Sequence, residues 1–140
     1  MGLKLQRKKH SMSQPTLSLL VLRTSHIEDS LAFYQGVGLS LTEEKHGNGP
    51  VHYSCQLGET VVEIYPGTPQ EILAYRGSGA TMPGFRVTSL ETTLICLNEI
   101  GVQILTPPMM NKWGKRAVIQ DPDGRAIELS ESPAPDQNAI

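Results

Sequence analysis

Residues 16–41 read TLSLLVLRTSHIEDSLAFYQGVGLSL, and inside this stretch the hydrophobic pattern changes from that of a strand to that of a helix. Thr16 to Thr24 is rich in Leu and Val, long enough for a strand and too short for a stable helix. Ser25 followed three residues later by Glu28 has the form of a capping box. Ile27, Leu31 and Tyr34 then recur at i, i+4 and i+7, which puts them on one helical face. Gly36 and Gly38 supply the stop, because glycine accepts the left-handed geometry at a helix end.

Working outward, three strands follow at Leu39–Lys45, Val51–Leu57 and Thr60–Tyr65. The turn-forming run His46-Gly47-Asn48-Gly49-Pro50 separates the first two, and Gly58-Glu59 has the length of a tight hairpin turn with glycine first. Pro66, Pro69, Gly77, Gly79 and Pro83 break up a long connection, in which EILAYR has the composition of one helical turn. The same order of elements then returns. Phe85–Thr88 reads as a strand, and Thr88 with Glu91 as a second capping box. Leu90, Leu94 and Leu97 form a helical stripe closed by Gly101. Val102–Leu105 is a strand that Pro107-Pro108 should break. Lys115–Gln120 and Arg125–Ser130 are strands joined by Asp121-Pro122-Asp123-Gly124, where proline sets φ and glycine takes φ > 0. Strand, helix, strands thus occurs twice at a spacing near ~65 residues, a repeat of architecture that suits one shared core.

The 140 residues are one domain's worth, with 39% hydrophobic and 19% charged residues, which excludes a disordered chain. A net charge of −2 argues against nucleic acid as the partner, since phosphate binding needs a basic face. No apolar run reaches the ~18–20 residues of a membrane span, and the basic start (Lys4, Arg7, Lys8, Lys9) lacks a signal-peptide core. The expected location is therefore cytoplasmic. Residues 1–14 read as a mobile arm, in which Met12 is an alternative start, and residues 132–140 as a loose tail. Cys55 and Cys96 sit among apolar neighbours and read as buried free thiols.

The order of elements and several local motifs resemble the vicinal-oxygen-chelate superfamily of glyoxalase I, bleomycin and fosfomycin resistance proteins and extradiol dioxygenases. The matching residues are Ser30-Leu31-Ala32-Phe33-Tyr34, Gly38-Leu39, Val62-Glu63-Ile64, Trp113-Gly114 and Asp121-Pro122-Asp123-Gly124 leading to Ile127-Glu128-Leu129. The resemblance implies an α+β fold of two βαβββ modules, about 16–66 and 84–131 within a domain at 15–131, forming a curved mixed sheet around a cup-shaped pocket. It also implies a homodimer, and a metal held by one ligand from the first and one from the last strand of each module. Those positions fall on Leu19, Glu63, Phe85 and Glu128. Both glutamates are present, but the other two ligands are replaced by hydrocarbons. That departure argues against glyoxalase I chemistry and leaves at most a weakly bound divalent metal on Glu63 and Glu128.

The hairpin register adds candidates. A two-residue turn at Gly58-Glu59 sets Ser54 opposite Glu63 and His52 opposite Tyr65, so that His52, Ser54, Gln56, Glu63 and Tyr65 share one face. By resemblance that face lines the cup. His52 beside a carboxylate reads as an acid/base partner, or as a strand-end histidine bonded to the sheet or to water. Leu19, Val21 and Arg23 share a face, and Arg23 matches the family's anion-holding arginine; a surface ion pair is the alternative. Trp113, beside Lys112, Lys115 and Arg116, reads as a stacking platform or a shield for the core. His10, His26 and His46 do not fall into ligand spacing. These residues suggest a small-molecule enzyme of lyase or isomerase type acting on a compact polar or anionic substrate, with Glu63, Glu128 and His52 catalytic and Arg23, Tyr65, Trp113, Leu19 and Phe85 contacting substrate. The second reading is a metal-free sequestration protein, favoured by the apolar Leu19 and Phe85.

Overall fold

A computed structural model of the chain describes residue 14 and residues 16–72, 81–112 and 114–131. Most of the expected arm, the tail, much of EILAYR and Trp113 lie outside these residues. The elements run β1 (Leu19–Thr24), α1 (Ile27–Val37), β2 (Thr42–Glu44), β3 (His52–Leu57), β4 (Thr60–Pro66), α2 (Pro69–Ile72), β5 (Gly84–Arg86), α3 (Leu90–Glu99), β6 (Gln103–Asn111), β7 (Gly114–Gln120) and β8 (Ala126–Glu131). The strands form two four-stranded mixed sheets in the orders β1-β4-β3-β2 and β5-β8-β7-β6. In each, the first strand runs parallel to the last and the remaining neighbours are antiparallel. This is the α+β architecture of two βαβββ modules.

Alternation along the strands decides which side chains meet the core. Leu22, Val62, Ile64 and Cys55 of the first sheet and Ala117, Ile119, Ile127 and Leu129 of the second are buried. They form one cluster with Phe33, Tyr34 and Val37 of α1 and with Leu90 and Leu97 of α3. Each such large side chain contributes roughly 1.5–3 kcal/mol on burial. The two helices cross closely: a Cβ built on Gly36 would lie 2.8 Å from Leu97 Cδ2, nearer than carbon atoms settle. Glycine at that position lets the helices approach closely rather than ending α1, which runs through it to Val37. Gly38, at φ 122°, takes the stop alone.

The modules are also joined by a buried polar knot. Asp121, at the end of β7, accepts from the Tyr34 hydroxyl at 2.7 Å, from Arg125 Nη1, and from the backbone N–H groups of Asp123 and Arg125, both at 2.9 Å. Asp123 accepts from the Ser25 amide and hydroxyl at 2.9 and 3.0 Å, just ahead of α1. Arg125 Nη2 reaches back to the Arg23 carbonyl at 3.0 Å, tying the second module to the end of β1. Burial, with Asp121 adding to it, pushes the Tyr34 hydroxyl well above the ordinary phenol range.

Several local expectations change. Neither capping box forms as read: the N-cap of α1 is His26 with no side-chain cap, and Ser25 spends its donors on Asp123. The N-cap of α3 is Ser89, whose hydroxyl accepts from the Thr92 amide at 3.2 Å, one residue later than the Thr88 reading. β6 continues through Pro107-Pro108 instead of breaking there. It is the edge strand of its sheet, and its register shifts between Ile104 and Thr106 and again between Thr106 and Met109. Such an edge tolerates residues that donate no ladder hydrogen bond. Cys55 is buried as expected, whereas Cys96 is exposed; both are free thiols.

Candidate functional site

The face of the first sheet turned away from the core collects most of the polar residues. Leu57 pairs with Thr60 and Ser54 with Glu63, the register that the Gly58-Glu59 turn predicts. Gly58 sits at φ 57°, which glycine adopts without strain. In β1, Val21 pairs with Glu63 and Arg23 with Tyr65. In β2, Glu44 pairs with His52. Arg23, Tyr65, His52 and Glu44 therefore cross the sheet side by side from β1 to β2, with Glu63 in the neighbouring row between Val21 and Ser54.

His52 is at the centre of this row and is almost fully enclosed, with a side-chain exposure of 2%. Its ring stacks on Tyr65, with centroids 4.2 Å apart and planes 7° from parallel. The Arg23 guanidinium lies over the other ring, 5.8 Å from the Tyr65 centroid. Nδ1 of His52 is 3.2 Å from the Pro50 carbonyl, a contact in which only the nitrogen can donate. Nε2 points the opposite way. It is 3.4 Å from Glu44 Oε2 and 3.4 Å from Glu63 Oε2, within ion-pair range but not hydrogen-bonded to either, so this buried atom has no hydrogen-bond partner among the described residues.

Two neighbours complete the group. Ser54 Oγ donates to Glu44 Oε1 at 2.7 Å, and this bond is the main reason the Glu44 carboxyl is held below its usual range. His46, in the turn after β2, brings Nε2 to 3.5 Å from Glu44 Oε2, with its ring centroid 5.2 Å from that of His52. His46 is exposed on its turn, yet it joins Glu44 and His52 despite lying outside ordinary ligand spacing. The β2–β3 hairpin folds the turn back over its own base, and the ligand atoms of Glu44, His46 and His52 lie within 4.8 Å of one another. Burial, and then the nearby Glu63 and Glu44 carboxylates, raise the Tyr65 hydroxyl above its ordinary pKa.

The second module's candidates are arranged differently. Glu128 accepts from Arg116 Nε at 2.7 Å. It lines a cavity of about 360 Å³ with Arg86, Asn111, Gly114, Lys115, Arg116, Ser130 and Glu131, all from that module. Phe85 is not beside it. The residue of β5 paired with Glu128 is Gly84, whereas Phe85 pairs with the core residue Leu129 and packs edge-on against Tyr34 at 6.2 Å. A short strand read one residue out of step points every side chain to the wrong face. Leu19 and Val21 do lie on the outer face of β1 with Arg23, at 50% and 37% exposure. By the same pairing the β1 residue beside Glu63 is Val21 rather than Leu19, so the expected four-ligand position holds Val21, Glu63, Gly84 and Glu128. Neither a hydrocarbon nor a glycine side chain can coordinate, and Glu128 is committed to Arg116, so these residues do not fit that metal site.

The chain matches the model of the Glyoxalase/Bleomycin resistance protein/Dioxygenase superfamily over residues 16–129. No curated protein sequence matches it. Among solved structures, TnmS3, an antibiotic binding protein from Streptomyces sp. CB03234, is similar at 22% identity. It has a TM-score of 0.65, with 88% of this chain and 100% of that chain covered. A glyoxalase-related enzyme from Fulvimarina pelagi is similar at 19% identity and a TM-score of 0.62, covering 91% of this chain and 96% of that one. A glyoxalase/bleomycin resistance protein/dioxygenase family enzyme from Burkholderia phytofirmans PsJN is 19% identical with a TM-score of 0.63, over 85% and 100% of the two chains. At these identities the likeness is one of fold.

Proposed function

Since the chain belongs to the glyoxalase/bleomycin resistance protein/dioxygenase superfamily, we propose that it is a small-molecule enzyme of lyase or isomerase type, working on the outer face of its first sheet. The observation that carries this reading is the buried, unpartnered Nε2 of His52 beside Glu63. Leaving a polar atom enclosed without a hydrogen bond costs roughly 1–3 kcal/mol, and a functional role for this face accounts for retaining it.

Glu63 is the proton-transfer residue in this proposal. Its side chain is 18% exposed, enough to meet a substrate, while His52 is enclosed and acts through it. His52 is thus a positioning residue, steered by the Pro50 carbonyl and the Tyr65 ring. Arg23, exposed at the neighbouring position, supplies a forked pair of donors for a carboxylate. A compact anion held there presents an adjacent acidic C–H to Glu63, which takes the proton and returns it at a neighbouring carbon or after a leaving group departs. Leu19 and Val21 bound the substrate on its apolar side. Glu128, paired with Arg116 in a cavity of the second module, serves a second copy in this reading. The protein is a homodimer whose partner sheet closes over the open face, and light scattering reads its mass directly.

Deuterium exchange followed by NMR tests the chemistry without a known substrate. In D₂O, small 2-oxo and 2-hydroxy carboxylates should exchange a C–H in the presence of the protein. Glu63→Gln should abolish exchange, and Arg23→Gln should raise KM with little change in kcat. Exchange that persists in Glu63→Gln would remove the assignment. The exposed Leu19 and Val21 favour a second reading, sequestration of a larger, partly apolar compound; the similar TnmS3 is described as an antibiotic binding protein. Tight binding without any turnover would select it.

A further inference from the structure

We propose that Glu44, His46 and His52 bind one divalent transition-metal ion of the Zn²⁺ type, at a site apart from the family's four-strand ligand position. Glu63 faces the coordination position left open.

The spacing of the donor atoms supports this. A tetrahedral ion with bonds of about 2.0–2.2 Å has ligand atoms roughly 3.3–3.6 Å apart along each edge. Glu44 Oε2 is 3.4 Å from His52 Nε2 and 3.5 Å from His46 Nε2, and Glu63 Oε2 is 3.4 Å from His52 Nε2. The two edges measured between proposed ligands, Glu44–His52 and Glu44–His46, have the length that tetrahedral coordination needs, and Glu63 stands at the same distance from His52 without being a ligand. The His46–His52 edge lies within 4.8 Å, and His46, 74% exposed on its turn, is free to swing inward.

The surroundings support it independently. A metal-binding histidine ordinarily gives its other N–H to a carbonyl or carboxylate, which fixes the tautomer and leaves a lone pair for the ion. His52 does this through Nδ1 and Pro50, and its Nε2 is buried without a hydrogen-bond partner. Between two carboxylate oxygens at 3.4 Å that nitrogen calls for a positive charge, which its own proton or a bound cation supplies. Ser54 occupies Oε1 of Glu44 and leaves Oε2 for the ion. Two imidazoles with a carboxylate select Zn²⁺, Co²⁺ or Ni²⁺ over Mg²⁺ or Ca²⁺, which prefer oxygen alone. In its catalytic meaning this inference rests on the reading of the first-sheet face as the working surface; the binding itself needs only the three side chains.

Titration of chelator-treated full-length protein with Co²⁺ tests it. One equivalent should produce the visible absorption of tetrahedral cobalt, and Zn²⁺ should displace it while raising the melting temperature. His46→Ala, on an exposed turn, keeps the fold and should weaken binding by at least about 100-fold. Ser54→Ala, which only loosens Glu44, should weaken it by roughly 10–100-fold. His26→Ala, outside the group, should change nothing. Failure to bind one equivalent of Co²⁺, or unchanged affinity in His46→Ala, overturns the proposal. The outcomes separate from those of the exchange assay. Cobalt bound without any C–H exchange sinks the enzyme reading alone, and exchange by chelator-treated protein that binds no cobalt sinks the metal site alone.

Discussion

Replacing Asp121 by alanine removes one carboxylate and four hydrogen bonds at once. The group is 3% exposed, so water does not replace what is lost. The Tyr34 hydroxyl, Arg125 Nη1 and the amides of Asp123 and Arg125 all donate to it. Breaking a buried ion pair by deleting one partner costs about 3–5 kcal/mol. With an unfolding entropy near 2.1 cal/mol/K per residue, the 140-residue chain should melt about 10–17 °C lower. Urea denaturation measures the same quantity as a lower midpoint at unchanged slope. Tyr34→Phe is the companion variant. It deletes one charge-assisted hydrogen bond but leaves Asp121 its other donors, so the loss is about 1.5–3 kcal/mol. It also carries a pH signature. Folding raises the Tyr34 pKa, so its contribution is fully present below the unfolded value near ~10 and is lost as pH climbs above it. The wild type should lose stability above that pH, and Tyr34→Phe should lose less. A cost below about 1 kcal/mol for Asp121→Ala would show that the β7–β8 turn does not hold the modules together.

Three further outcomes follow from the packing. Gly36→Ala gains up to about 1 kcal/mol of helix propensity but drives a methyl group to 2.8 Å from Leu97 Cδ2, so the net effect is a loss of about 0–2 kcal/mol by urea titration. Cys96 should react with a thiol reagent in the native state while Cys55 reacts only on unfolding, read as one fast equivalent and one slow. Arg116→Met breaks a pair whose members are 38% and 33% exposed, so it should cost only about 0.2–1 kcal/mol by thermal melting.

The sequence carried the elements that depend on local pattern. Both βαβββ modules follow from strand runs, glycine stops and the Asp-Pro-Asp-Gly turn. The Gly58-Glu59 hairpin sufficed to place Ser54 opposite Glu63, because a two-residue turn allows a single register. What was missed depends on tertiary structure. Ser25 looks like a cap residue until Asp123 arrives from the other module to take its donors. Gly36 looks like a helix stop until Leu97 presses on it. A three-residue strand such as β5 has too few residues to declare its phase, and Phe85 was read on the face that Gly84 occupies. His46 lies six residues from His52 and outside the ordinary ligand spacings. A cue was still available, since Glu44-Lys45-His46 ends one strand of a hairpin whose other strand opens at His52. Strand pairing at the base of that loop sets Glu44 opposite His52, and the loop carries His46 back beside them.

The central claim is that the functional centre lies around His52 on the first sheet and not at the family position between Glu63 and Glu128. Anomalous diffraction at the zinc or cobalt edge, from crystals grown with one equivalent of the ion, tests this most directly. The account predicts a single peak about 2.0–2.2 Å from His52 Nε2, Glu44 Oε2 and His46 Nε2. A peak between Glu63 and Glu128, or none at His52, would contradict it.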